Sequence, residues 1–442
     1  MISTYANNLS DFRLNYLVPK RREGIVSVLD VGSSKVACLI AKLTRADQSP
    51  MFRHRTHDVA ILGYGVQCAY GVKSGTIVDM QSAERSIKLA IDAAERMAGI
   101  TIDSIIVNLT SGHIRSEIFR ATTKINGQTV IDTDIERAMS AIANCSTTGD
   151  RIVLHSLPVS YGVDNSTGIS DPCGMLANKV SVDAHVVTAN LDTLRNIELV
   201  INRSYLEVDA VVSSPYASAL ATIMEDECKL GVACVDMGGG TTSVAVLVDG
   251  QLVHTAVFTI GGQHITMDLA QGLSTRIENA ERIKILHGSA LMMHGIAKEE
   301  VQIPDIGSDY RDIISIPQSS IAKIIRPRID EILELVRDSI TSSGFGGRAS
   351  RRVILTGGAS QLTGLVDVAR GTLGPDVRLG RPLGIHNSPR QTKTSAFATS
   401  IGMLIYPQLT NCIQHKKHSK SASGGYFSHF REWIKESLSN GF

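Results

Sequence analysis

Aromatic residues are scarce. They make up 5% of the 442 residues, and the single Trp stands at position 433, close to the C-terminal end. Long apolar runs are missing too. No stretch approaches the roughly 18 residues of a membrane span, and the N-terminal run MISTYANNLSDFRLNYLVPKRREG lacks the apolar core of a signal peptide. Charge of one sign is absent: 44 Lys and Arg against 43 Asp and Glu leave a net charge of +1. That balance gives no electrostatic case for nucleic-acid binding. The seven cysteines are odd in number and form no C-x-x-C pair, which fits reduced thiols in a cytoplasm and excludes a disulfide framework or a zinc ribbon. The thirteen histidines include no H-E-x-x-H, and His54, His57, His415 and His418 lie in polar stretches that read as solvated. Neither G-x-x-x-x-G-K-[ST] nor a strand-to-helix G-x-G-x-x-G occurs.

What remains is ordinary globular composition, 43% hydrophobic and 20% charged, in a chain long enough for about three domain-sized units. Residues 1–23 read as a mobile arm ending in Lys20, Arg21 and Arg22. Then I-V-S-V-L-D (25–30), K-V-A-C-L-I (35–40) and V-A-I-L-G-Y-G-V (59–66) read as strands. Apolar spacing at Ile87, Ala90, Ile91, Ala94 and Met97 predicts a helix over 80–98, and I-I-V-N-L-T (105–110) closes a β-β-β-α-β unit. Between 111 and 185, short strand-like runs and one helix (132–144) alternate with polar loops, as in an inserted α+β module. Strand-like text at 186–190 and a helix at 191–203 return to the first style. Helices are also expected near 215–225, over 277–287 and over 319–342. The segment 411–425 is polar and reads as a linker.

One internal echo carries chemistry. The strand ending in Asp30 runs into Gly32-Ser33-Ser34 and a returning strand, and the strand ending in Asp236 runs into Gly238-Gly239-Gly240-Thr241-Thr242 and another. The two aspartates stand about half the chain apart, so a large unit is duplicated. Small turn residues let backbone N–H groups approach a phosphate, and hydroxyls add donors. A carboxylate just before such a turn would repel phosphate directly, but suits a hydrated Mg²⁺. Two facing hairpins would clamp one nucleotide between two lobes. The plainer alternative is two ordinary hairpins with tight turns.

Together with the late turn Thr356-Gly357-Gly358-Ala359-Ser360, this pattern resembles the actin/Hsp70/sugar-kinase ATPase superfamily. G231-V-A-C-V-D-M-G-G-G-T-T, N279-A-E-R-I-K-I-L-H-G, P327-R-I-D-E-I-L and V353-I-L-T-G-G-A-S-Q-L-T-G-L narrow it: residues 25–407 resemble the FtsA family of bacterial cell-division proteins. The resemblance implies an α/β, actin-like ATPase fold with duplicated mixed sheets flanked by helices. The first lobe would be 24–110 with 186–212 and 376–408, carrying an inserted subdomain at 111–185. The second lobe would be 213–256 with 329–375, carrying a smaller partner-binding subdomain at 257–328.

The same resemblance implies ATP and Mg²⁺ as ligands. Asp30, Gly32, Ser33 and Ser34 match the first phosphate hairpin, and Asp236, Gly238, Gly239, Gly240, Thr241 and Thr242 the second. Asp30 and Asp236 are the candidate metal carboxylates. Gly357, Gly358 and Ser360 match the loop against the adenosine, and Glu281 with Lys284 the helix that contacts ribose and adenine. Lys35 either reaches a phosphate or is a solvated strand residue. Many relatives place an amide or carboxylate to orient the attacking water. The stretch 211–218 offers neither group, so slow or no turnover is expected and no catalytic residue is assigned. Arg328 and Glu331 match positions implicated in capturing the C-terminal peptide of the tubulin-like GTPase FtsZ, against the alternative of helix-surface charge. Other division proteins and self-association into filaments are the further partners implied.

The tail can be read without a family. Over 425–442, after a linker at 409–424, Tyr426, Phe427, Phe430, Trp433, Ile434 and Leu438 share one side of a helical wheel, with Arg431, Glu432, Lys435, Glu436 and Ser439 opposite. This is the pattern of an interfacial membrane helix, and Lys416, Lys417 and Lys420 just upstream would meet anionic lipid. The alternative is a helix that docks on its own body or on a partner. The reading as a whole is an actin-like adaptor that tethers the FtsZ ring to the inner face of the cytoplasmic membrane at the division site. Its rivals are an Hsp70- or kinase-like ATPase and an actin-fold pilus-assembly scaffold.

Overall fold

The computed structural model of the chain describes residues 24–45, 55, 57–111, 113–146, 149–291, 300–304, 313–349, 352–385 and 388–409. The arm at 1–23, nearly all of the linker at 409–424 and the tail with Phe427, Phe430, Trp433, Ile434 and Leu438 lie outside the described residues. Among the described residues no helix is long and apolar enough to cross a membrane.

The chain opens with an antiparallel meander of β1 (Gly24–Val31), β2 (Lys35–Arg45) and β3 (His57–Cys68). His57 is buried at the start of β3 and its backbone N–H donates to Gln408 Oε1 at 3.2 Å, so it is not the solvated histidine that its polar flanks suggest. Helix α1 (Met80–Ala98) starts where Asp79 caps the free N–H groups of Gln81 and Ser82, and lays Ile87, Ala90, Ile91 and Ala94 on the sheet. Strand β4 (Ser104–Leu109) then pairs parallel with β1.

The inserted module follows as β5 (Arg115–Thr129), α2 (Asp132–Ser146), β6 (Arg151–Val163), β7 (Ser166–Ile169) and β8 (Leu176–Asn190). Three of its strands, β5, β6 and β8, are long rather than short, and β7 is a short edge strand. Helix α2 covers one face, with Ile135, Met139 and Ile142 packed among Val180, Val182, Ala184 and Val186. The expected border at 185 falls inside β8, which runs unbroken into the first lobe. Helix α3 (Leu191–Asn202) and strand β9 (Glu207–Ser213) complete that lobe, and β9 leads into α4 (Ser214–Thr222) and α5 (Glu225–Leu230).

The second half repeats the first. β10 (Val232–Met237), β11 (Thr242–Val248) and β12 (Gln251–Phe258) form a meander. α6 (Gly262–Gly272), α7 (Ile277–His287), the small pair β13 (Glu300–Pro304) and β14 (Ile313–Pro317), and α8 (Gln318–Ser342) follow. Helix α8 runs straight through the expected border at 328. β15 (Val353–Thr356), α9 (Leu365–Leu373), β16 (Val377–Leu379) and α10 (Ala398–Ile405) close the fold.

The sheet orders are β9-β4-β1-β2-β3 and β12-β11-β10-β15-β16. Each is a meander whose first strand sits centrally and takes parallel neighbours on its other side. The duplication holds to the residue: Asp30 stands opposite Ala37 and Asp236 opposite Ser243. The expectation for 376–408 needs one correction, because β16 extends the second sheet and only α10 returns to the first lobe. Helix α4 leaves the first sheet to lie on the second. Helix α10 leaves the second to pack with β1, β2 and β4 of the first. The two helices cross where Gly402 meets Ala217, so closely that a Cβ on Gly402 would overlap the Ala217 carbonyl. They share a continuous core, in which Val28, Leu39, Ile401 and Leu404 join Cys234, Leu247 and Ile354.

Candidate functional site

Both aspartates stand at the carboxyl ends of central strands, the edge at which open α/β sheets bind ligands. Each turn is closed by the same backbone bond: Gly32 N–H donates to the Lys35 carbonyl at 3.0 Å and Gly238 N–H to the Thr241 carbonyl at 2.8 Å. The turns face each other tip to tip. A Cβ built on Gly239 would come 2.9 Å from Ser34 Oγ, and one on Gly240 would come 2.6 Å from Ser33 Oγ. Gln263, in the first turn of α6, reaches across from the second lobe and donates from Nε2 to the Ser33 carbonyl at 2.9 Å.

Asp30 is buried and Asp236 half-buried, and hydroxyls hold both carboxylates. Asp30 accepts from Asn108 Nδ2 at 2.9 Å and from Ser400 Oγ at 2.8 Å. Asp236 accepts from Ser218 Oγ and, at 2.9 Å, from Thr399 Oγ1. Thus α10 offers two consecutive hydroxyls, one to each lobe's aspartate. Burial pushes the Asp30 carboxyl above its ordinary value; Lys35, Ser400 and Asn108 pull it back, and Asp236 adds to the rise. Burial likewise raises Asp236, opposed by Ser218, Thr399 and Lys35. Burial lowers the Lys35 ammonium, which both aspartates pull back up.

Lys35 is therefore no solvated strand residue. Its Nζ donates to the Ala396 carbonyl and stands 3.6 Å from the centre of the Phe397 ring. The late turn closes the second hairpin from behind. Gly357 has φ of 87°, and a Cβ there would overlap Asp236 Oδ1, so only glycine fits. Ser360 Oγ donates to the Gly357 carbonyl at 2.7 Å, and Gly358 opens a short turn whose Ala359 methyl faces Gly262. Lys284 Nζ donates to the Gly262 carbonyl at 3.0 Å, to Thr266 Oγ1 at 2.8 Å and to Glu281 Oε2 at 2.6 Å. The expected residues from both halves are thus gathered where the two lobes' hairpins meet.

Sequence reasoning missed Asn108, Ser218, Thr399, Ser400 and Gln263. An amide is present after all, from β4 rather than from 211–218. It is fully engaged: Asn108 Oδ1 accepts from the Val31 N–H at 2.7 Å, and its Nδ2 is shared among Asp30, Thr110 Oγ1 at 3.0 Å and Ser214 Oγ at 3.1 Å. Such an amide positions Asp30 and has no donor left for a water.

Arg328 and Glu331 form a second cluster on α8. Arg328 pairs in bidentate fashion with Asp268 of α6, at 2.7 and 2.9 Å, and its Nη1 donates to Glu331 Oε2 at 2.6 Å. Glu331 also lines a groove of about 420 Å³ with Val257, Phe258, Ile260, His264 and Leu335.

The donor set at the cleft fits a hydrated magnesium ion with a polyphosphate. Two carboxylates flank two small-residue turns, with hydroxyls behind them and an ammonium between. Among the described residues no group of three or more His, Cys, Asp or Glu side chains is gathered as a self-sufficient metal site.

Comparison with known proteins agrees with this architecture. The family model described as cell division protein FtsA matches residues 233–402, and that of the SHS2 domain inserted in FtsA matches 111–188. The cell division protein FtsA of Rhizobium meliloti (strain 1021) is 45% identical over 426 residues, covering 95% of this chain and 96% of that protein. FtsA of Escherichia coli (strain K12) is 29% identical over 422 residues, covering 93% and 98%. Among solved structures, the PilM-PilN type IV pilus biogenesis complex is similar with a TM-score of 0.61 at 15% identity, covering 88% of this chain and 98% of that one, a likeness of fold alone.

Proposed function

The chain belongs to the FtsA family of bacterial cell-division proteins and has its actin-like fold, and from that premise we propose that it is an ATP-binding adaptor of the division ring. It takes up Mg²⁺·ATP between its two lobes, associates with copies of itself and holds the FtsZ ring to the inner face of the cytoplasmic membrane, where later division proteins join. The observation that carries the nucleotide part is the pair of hairpins in identical register, with Asp30 and Asp236 at the ends of their central strands. Bound nucleotide would supply the charge that these residues lack in one another: phosphate against the turn N–H groups and a hydrated cation against the carboxylates. A phosphate between tips that now touch requires the lobes to part, which would break the bond from Gln263 to Ser33.

Partner capture rests on the groove beside Glu331, whose apolar walls and charged rim suit an extended peptide. Attachment to the membrane rests on the amphipathic pattern of 425–442. The family match over nearly the whole chain favours this reading over a chaperone, a kinase or a pilus scaffold.

Isothermal titration with Mg²⁺·ATP, followed by single-turnover hydrolysis, tests the central claim. Saturable binding that weakens at least about tenfold in Asp236→Asn is expected, a loss of about 1.4 kcal/mol. Hydrolysis should be far slower than the roughly 1–100 s⁻¹ of kinases. No binding by the wild-type chain would remove nucleotide from the proposal, and kinase-like turnover would overturn the adaptor role assigned to ATP.

A further inference from the structure

Helix α6 is tied at its start to both hairpin turns and along its length to the groove beside Glu331. The N–H groups of Gly262 and Gln263 donate to the Gly238 and Gly239 carbonyls of the second turn, at 2.9 and 2.7 Å. In a trans peptide the C=O and N–H groups point opposite ways, so these bonds aim the Gly239 and Gly240 N–H groups away from α6. The Gln263 side chain crosses to the Ser33 carbonyl of the first turn at 2.9 Å. Lys284 of α7 holds the Gly262 carbonyl at 3.0 Å. Both turns therefore bear on the same two residues of one helix. The next residue already belongs to the groove: His264 lines it, and its Nδ1 accepts from the Gly261 N–H at 3.2 Å. One turn further on, Asp268 grips Arg328, which in turn holds Glu331 at the groove. From Gly262 to Asp268 is only about 9 Å along the axis, at 1.5 Å per residue. Val257 lines the groove too, and it also packs against the core of the first lobe.

We propose, resting on the nucleotide and peptide readings above, that α6 couples the two sites and that Gln263 is the latch between them. In the empty chain Gln263 ties the start of α6 to the first lobe, and that lobe covers part of Val257. Phosphate between the turn tips breaks the latch as the lobes part. The walls of the groove come from the end of β12, the strand's exit to Ile260, α6 and α8, all of the second lobe. Parting therefore leaves the groove whole and uncovers Val257 for an apolar side chain of the peptide. The peptide thus makes more contact with the parted form than with the latched one, which is the differential affinity a population shift requires. Nucleotide strengthens capture, and by linkage captured peptide strengthens nucleotide binding by the same factor. Loaded copies of the chain would then hold the ring most tightly.

Fluorescence anisotropy of a labelled FtsZ C-terminal peptide, titrated with the full-length chain with and without saturating Mg²⁺·ATP, tests it. The peptide is monovalent, so self-association of the chain adds no avidity to the reading. Capture should be about tenfold tighter with nucleotide, within the usual range of coupling between sites. Isothermal titration of Mg²⁺·ATP into the peptide-saturated chain should show the same factor, and this wild-type pair of measurements depends on no variant. Gln263→Met keeps the apolar stem and removes the donor. Without nucleotide it should capture peptide about as tightly as the loaded wild type, and Mg²⁺·ATP should then add less than about twofold. A thermal melt confirms that this variant is folded. Binding of both ligands with no mutual effect, or capture weakened by nucleotide, overturns the coupling and leaves both sites in place. Failure of either ligand to bind the wild type overturns the reading of that site, and the coupling with it. Coupling that persists unchanged in Gln263→Met overturns the latch.

Discussion

At the scale of single residues, the cleft concentrates groups whose ionisation opposes folding. Asp30 and Asp236 are raised by burial, so the folded chain binds their protons more readily than the unfolded chain. Their stability penalty is complete above the raised values and fades as pH falls through them towards 3.8. A nucleotide-bound cation would relieve the same penalty at neutral pH. Asp30→Asn is therefore expected to raise the melting temperature of the ligand-free chain, while abolishing the further rise that Mg²⁺·ATP gives to the wild type. A thermal shift series with and without Mg²⁺·ATP separates the two effects, and an Asn variant that still gains from nucleotide would count against Asp30 as a metal carboxylate.

Two histidines act with the opposite sign. Burial holds His155 and His185 down at about 3, far below the usual 6.5, so both are neutral in the fold. Their contribution is complete above pH 6.5 and is lost as pH falls below it, by about 1.4 kcal/mol per unit for each group. His155 Nε2 accepts from the Ser213 N–H at 3.0 Å, whereas neither ring nitrogen of His185 has a hydrogen-bond partner among the described residues. His185→Phe should thus stabilise the chain at pH 7 and flatten its loss of stability from pH 6.5 to 5.5 by at most about half, because burial also lowers His254. Urea unfolding across that range is the measurement, and an unchanged slope would mean that His185 is not neutral in the fold. Local chemistry of this kind is unevenly legible. Asp30, Asp236 and Gly357 announce themselves because each sits in a tight turn whose residue types are constrained nearby. Ser218, Thr399, Ser400, Asn108 and Gln263 are common residues that acquire a role only when distant segments meet.

At the scale of elements, the crossing of α4 with α10 is where the lobes are joined, and Gly402 sets its closeness. Gly402→Ala forces the helices apart and should cost about 1–3 kcal/mol by overpacking. Equilibrium urea unfolding will show it, and a neutral result would mean that the crossing is looser than the structure has it. The groove by α8 makes a separate claim: Glu331→Lys should weaken binding of the FtsZ C-terminal peptide by about tenfold or more in fluorescence anisotropy, with Mg²⁺·ATP binding intact. The helices were legible because their buried residues recur at helical spacing, as Ala83, Ile87, Ala90, Ile91 and Ala94 do in α1. The strands of the insert were read as short because one face of their sheet is largely exposed. In β5 only Thr123 and Ile125 are buried, so the apolar signal breaks up although the strand runs from Arg115 to Thr129. The borders expected at 185 and 328 fall inside continuous elements, because composition changes along β8 and α8 while the backbone does not, and the insert expected over 111–185 lies close to the 111–188 matched by the model of the inserted domain.

At the scale of the whole molecule, nucleotide, self-association and membrane attachment should reinforce one another. Each large apolar side chain of the tail gains roughly 1.5–3 kcal/mol at most on burial. Ordering the backbone costs about 1–2 kcal/mol for each residue of 425–442. Hydrogen bonding and burial offset that cost in part, so one tail alone would hold a bilayer weakly. Many tails on one assembly would hold it through effective concentration, without any new contact. Since Trp433 is the only tryptophan, its emission reports the tail alone. Titration with anionic liposomes should give a blue shift, and the half-point should move to lower lipid when Mg²⁺·ATP is present. In Asp236→Asn the shift should persist at high lipid but lose its response to ATP, because the tail is intact and the cleft is not. A shift identical with and without nucleotide would uncouple the cleft from assembly and leave a constitutive anchor. No shift at any lipid concentration would leave an actin-like division protein whose tail serves a protein partner instead.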